Sequence, residues 1–155
     1  MTLDERILEK LADWRPDSIR QAFTLDDKPS GWRVHITADT VEKLGVRLSS
    51  LEVRRLRVLE SIASLPQQAQ QLASNITGLL EPLKVVEIDE ERGIAQLRSV
   101  HPSRSGEESH YYEILRHADG STFLHRYRVG IGRREAVEFC LTHEALAKLI
   151  RDIVR

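Results

Sequence analysis

A chain of 155 residues, 41% apolar and 30% charged, can fill one core and stay soluble, which sets aside intrinsic disorder. Its 23 basic residues against 24 acidic leave a formal charge of −1, so it lacks the global basic excess of a dedicated nucleic-acid binder. One cysteine, Cys140, excludes an intramolecular disulfide and a multi-cysteine zinc site, and it points to a reducing, cytoplasmic setting.

The opening residues, Met1-Thr2-Leu3-Asp4-Glu5-Arg6, carry acids and no apolar h-region, so no secretory signal is expected. No apolar run reaches the roughly 18 residues of a membrane span. Residues 2–13 predict a helix: Leu3, Ile7, Leu8 and Leu11 recur at helical spacing behind a Thr2 cap. Residues 14–30, with Pro16, Asp26-Asp27 and Pro29-Ser30-Gly31, read mostly as connection, with a short helical turn at Ile19, Ala22 and Phe23.

Trp32, Val34 and Ile36 alternate with Arg33, His35 and Thr37, as a half-buried strand does. Asp39 is then expected to cap a short helix holding Val41 and Leu44, stopped by Gly45. Residues 46–63 break phase twice. The pattern predicts a short strand at 46–48 followed by a helix, because one continuous strand would need bulges.

The next helix starts at a Ser64 cap with Gln67 three residues on and Pro66 in the first turn. Ala69, Leu72, Ala73, Ile76, Leu79 and Leu80 form its apolar stripe, and Pro82 ends it. The period then changes to two. Strands are predicted at 83–88, 94–98, 110–117, 121–129 and 135–141, with a polar loop over 101–109. Thr142 caps a last helix with Leu146, Leu149, Ile150 and Ile153. The fold class expected is α+β in a single domain over 1–155. An antiparallel meander of about five strands fills the C-terminal half, helices cover one face, and a helix stands at each end.

Candidate sites start from the Asp119-Gly120 turn. A two-residue loop pairs Arg116 with Phe123, Ile114 with His125, Glu113 with Arg126 and Tyr112 with Tyr127. Tyr112, Ile114, Phe123, His125 and Tyr127 then share an aromatic face with Arg116, opposite a face with Leu115 and Leu124. Arg116, His125, Tyr112 and Tyr127 are the candidate ligand-binding residues, suited to a small anion. The structural alternative has His125 hydrogen-bonded in the core and Arg116 reaching the rim.

Cys140 near His143 invites a nucleophile reading, but Phe139, Cys140 and Leu141 read as an apolar strand end, with His143 turned to solvent. His110 and His125 could share a face, without metal-ligand spacing. Two arginine clusters, Arg54, Arg55 and Arg57, then Arg126, Arg128, Arg133 and Arg134, could meet phosphates, yet Glu52, Glu60, Glu135 and Glu138 interleave them. With 18 arginines against 5 lysines, composition alone supplies such clusters. The sequence therefore leads to a non-enzymatic interaction or assembly protein, expected as a homodimer without cofactor or metal, with a protein partner possible. Binding of a small anionic ligand through Arg116 and His125 is the alternative, and nucleic-acid binding the third.

Overall fold

Local signals set the helices of the structure, a computed structural model describing residues 1–15, 21–59 and 61–155. The expectations for Pro16 and Ile19, and the place of Glu60 beside the first arginine cluster, lie outside the described residues. In α1 (Leu3–Asp13) the Thr2 hydroxyl accepts from the Glu5 amide while the Glu5 carboxylate accepts from the Thr2 amide, a complete capping box. Ser64 caps α2 (Leu65–Asn75), and Thr142 caps α3 (His143–Val154) by accepting from the Ala145 amide at 3.0 Å. Helix α2 stops at Asn75, before Pro82, because Ile76, Thr77 and Gly78 are poor helix formers. Leu79 still reaches the core, but Leu80 leaves the expected stripe: it is 94% exposed with a left-handed φ of 61°.

Among the described residues ten strands follow the order β1 (Gln21–Asp27), β2 (Trp32–Val41), β3 (Gly45–Arg55), β4 (Leu83–Asp89), β5 (Ile94–Ser99), β6 (Ser103–Ser105), β7 (Glu108–His117), β8 (Thr122–Val129), β9 (Arg134–Val137) and β10 (Phe139–Thr142). All pairings are antiparallel, in the spatial order β1-β2-β3-β8-β7-β5-β4. The α+β class and the meander of the C-terminal half stand as the sequence predicts.

The N-terminal half differs. Residues expected as connection form β1, where Phe23, Leu25 and Asp27 alternate inward against Ile36, Val34 and Trp32. The helix expected from Asp39 is the continuation of β2, and the helix expected after residue 48 is the continuation of β3. The phase break that suggested a helix is a bulge at Ser49, left out of the pairing between Ser50 with Thr37 and Leu48 with Ala38. Val46, Leu48, Leu51 and Val53 all turn inward as a result.

The core is one cluster on one side of the sheet. Val34, Ile36, Leu51, Leu97, Ile114 and Leu124 pack there with Ile7, Leu11, Leu72, Leu146, Leu149 and Ile150 of the helices. Burying each such side chain contributes about 1.5–3 kcal/mol before entropy is counted. Strand β3 meets β8 over three residue pairs only, Leu51 to Val53 with Leu124 to Thr122. Beyond Leu51 the two strands part. The fork is filled by β9, paired to β8, and β10, paired to β3; these two replace the single strand expected at 135–141. The loop over 101–109 is a tight hairpin of β6 against β7. Among the described residues no helix is long and apolar enough to cross a membrane.

Candidate functional site

The turn between β7 and β8 decides where every candidate side chain points. It is a three-residue loop: the His117 amide donates to the Ser121 carbonyl at 2.8 Å, and Gly120 takes a φ of +94°. A two-residue loop would give the expected register. The extra residue slips it by one, so Arg116 faces Thr122, Ile114 faces Leu124, Glu113 faces His125 and Tyr111 faces Tyr127. Such a slip moves one strand's side chains to the other side of the sheet.

Arg116 and His125 therefore lie on opposite faces, and the expected four-residue constellation is divided. Tyr112 and Arg116 are on the core side with Leu124. His125 and Tyr127 are on the open side with Glu113, Leu115 and Phe123. His117, rather than His110, shares the face of His125.

Arg116 is a buried structural cation. Its Nε donates to Gln68 Oε1 at 3.0 Å and its Nη1 to Thr122 Oγ1 at 2.9 Å and to the Ile153 carbonyl at 3.2 Å. It thus ties α2 and the C-terminal end of α3 to the sheet, where the helix dipole favours a cation. Burial, with the like charge of Arg55 adding to it, lowers the guanidinium to about 10. Tyr112 is buried edge-on to Phe139, ring centroids 5.5 Å apart, under the Arg126 guanidinium.

The open face is built of aromatic rings and arginines. One row crosses it without a break: Thr24, His35, Glu52, Phe123, Leu115, Gln96 and Glu87. Arg54 lies 4.7 Å over Phe123, Arg98 5.1 Å over Tyr111, and Arg134 3.7 Å over Tyr127. Tyr127 also contacts Tyr111 and His125, with centroids 5.9 and 6.1 Å away.

Beneath the arginines sits Glu113, only 4% exposed although it points away from the core. Arg134 approaches it at 3.0 Å and Arg98 at 3.8 Å, and the Gln96 amide donates to it. The expected Glu113–Arg126 pair does not form; Arg126 bonds Glu81 at 2.9 Å instead. Half-buried His125 faces Glu113, and burial pushes its imidazole below its ordinary 6.5 against the pull of Glu113 and Glu52. Sequence reasoning missed Glu113, Arg98 and Arg134 as a group, because only the true register and the fold-back of β9 bring them together.

Where β3 and β8 part, a groove of about 670 Å³ opens, lined by Thr37, Arg47, Ser49, Ser50, His110, His125, Arg126, Arg128 and Glu138, among others. Arg47 is held by Glu138 at 2.7 Å and Arg128 by Glu135 at 2.5 Å.

Cys140 is exposed rather than packed as a small hydrophobe, since β10 alternates Phe139 and Leu141 inward. His143 is buried rather than turned to solvent, because its amide donates to the Leu44 carbonyl and draws the first turn of α3 under β3. Among the described residues no group of three His, Cys, Asp or Glu side chains could hold a metal ion. No family model, curated protein or solved structure matches the chain.

Proposed function

We propose that this chain is a non-enzymatic interaction protein that assembles as a homodimer through the open face of its sheet. The observation that carries the reading is the placement of half-buried Phe123 and Tyr127, beside buried Tyr111, with Arg54, Arg98 and Arg134 on the face no helix covers. Tyrosine, other aromatics and arginine are the residues that concentrate binding energy at protein interfaces. Acidic Glu52 and Glu87 share the face with these arginines, so two copies related by a two-fold axis can match unlike charges. The sheet edges support face pairing over edge pairing. Strand β4 carries a bulge at Val86 with exposed Lys84 and Glu87, and β1 exposes Thr24 and Asp26. The exposed free thiol of Cys140 favours a reducing, cytoplasmic setting.

The test is the mass in solution. Light scattering at micromolar concentration should give a dimer for the parent protein and a monomer for Phe123→Glu, with unchanged circular dichroism in both. A parent protein that is monomeric under these conditions would overturn the reading.

The groove at the fork favours a second reading, a small anionic ligand bound beside His125 with Arg47 and Arg128 in reach. Arg116 no longer belongs to that site. Thermal shifts across a library of anions should then vanish in His125→Ala and persist when Arg116 is altered.

A further inference from the structure

Several arginines among the described residues are matched to acids: Arg33 to Asp26, Arg47 to Glu138, Arg54 to Glu52 and Arg126 to Glu81. Arg55 and Arg57 form no ion pair among the described residues. Both leave the end of β3 and line one cavity of about 490 Å³ with Ser30, Gly31, Val58 and Leu59. A smaller adjoining cavity of about 120 Å³ shares Arg55 and Arg57 and adds Ile62 and Asp119.

The Arg55 guanidinium is held in place 4.3 Å over the ring of Trp32, its cross-strand neighbour. Its Nε is buried beside Gly120 without a hydrogen-bond acceptor, so a ligand would meet the terminal nitrogens of the fork. Arg116 lies close enough for the two positive charges to act on each other. Asp119 is the acid that lines the smaller cavity among the described residues, and its Oδ1 accepts from the Ser121 amide at 2.8 Å. Among the described residues, one carboxylate thus faces the three guanidiniums of Arg55, Arg57 and Arg116. On the rim stand apolar side chains open to solvent to differing degrees: Val58 is 93% exposed, Leu59 45% and Ile62 37%.

We propose that Arg55 and Arg57 form a binding site for a phosphate group carried on an apolar body, the phosphate between the two guanidiniums and the apolar part against Val58, Leu59 and Ile62. Guanidinium forks match phosphate oxygens in pairs, and two forks suit a group with three terminal oxygens better than a carboxylate with two. A neighbouring apolar rim explains why large side chains stand in water beside cations. The site lies at the end of β3 and uses none of the stacked residues of the open face, so it is independent of the assembly proposed above.

Three probes test it by calorimetry or thermal shift: inorganic phosphate, dihexanoyl phosphatidate below its micellar concentration, and vesicles of phosphatidylcholine with long-chain phosphatidate. Dihexanoyl phosphatidate should bind more tightly than inorganic phosphate. Arg57→Gln, at an exposed and unpaired position, should fold normally and weaken both roughly tenfold. Val58→Ser with Leu59→Ser should weaken the phosphatidate and leave inorganic phosphate unchanged. Sedimentation with the vesicles assigns the natural source to a bilayer, and soluble binding without sedimentation assigns it to a free amphiphile; both support the site. Absence of binding to all three probes, or equal binding by Arg57→Gln, would overturn it.

Discussion

Glu113 and His125 stand directly opposite each other on β7 and β8, the carboxylate under two guanidiniums and the imidazole beside the Tyr127 ring. Replacing the acid by its neutral isostere separates charge from shape. In Glu113→Gln, Arg98 and Arg134 lose their counter-charge while the side-chain volume stays. Both arginines are more than a third exposed, so water compensates part of the loss. A destabilisation of about 1–2 kcal/mol is expected in urea unfolding. No change at all would mean that the cluster contributes only position.

His125 makes stability depend on pH. Burial lowers its pKa from 6.5, so the unfolded imidazole binds a proton at a pH where the folded one does not. In that window the unfolded state holds more protons, and stability falls as the pH drops. The loss begins near 6.5 and is complete below the folded value. Unfolding midpoints measured from about pH 7.5 down to about pH 5 should decline, and the decline should be shallower in His125→Phe. Equal slopes in the two proteins would assign the effect to other groups.

Arg116 joins three elements, and Arg116→Leu should show it. Gln68 Oε1 and the Ile153 carbonyl would lose their donor inside the protein. A loss of about 1–3 kcal/mol is expected, with the mass in solution unaltered. A change of mass without loss of stability would instead place Arg116 in the assembly surface.

Gly120→Ala tests the turn that sets the register. Its φ of +94° is unfavourable for any residue with a Cβ, and that atom would lie 2.7 Å from Arg55 Nε. A cost of about 1–2 kcal/mol in thermal or urea unfolding is expected. Arg55→Ala should relieve the contact and recover part of it, leaving the backbone strain.

Sequence reasoning reached the helices because caps act locally: Thr2, Ser64 and Thr142 each satisfy an amide three residues away. It reached the C-terminal strands because their hydrophobic period is two. It failed at Ser49, where one extra residue broke that period inside a continuous strand. The aromatic face failed for a similar reason. Asp119-Gly120 is a turn signal for loops of two residues and of three, and only the hydrogen bond between His117 and Ser121 distinguishes them. The Glu113 cluster was illegible because Arg98 and Arg134 come from separate strands.

The short seam between β3 and β8 has a consequence for how the chain comes to be folded. The β1–β3 meander borders the rest of the sheet through three residue pairs, and the strand that closes its remaining edge, β10, follows about ninety residues later, as the Arg47–Glu138 bond shows with a separation of 91. Asp4 waits still longer for Arg151, 147 positions downstream. On a ribosome, the first meander must leave the exit tunnel with an unsealed flank and stay so until translation has passed α3. Closure of that distant loop, rather than formation of any hairpin, should then limit the rate of folding.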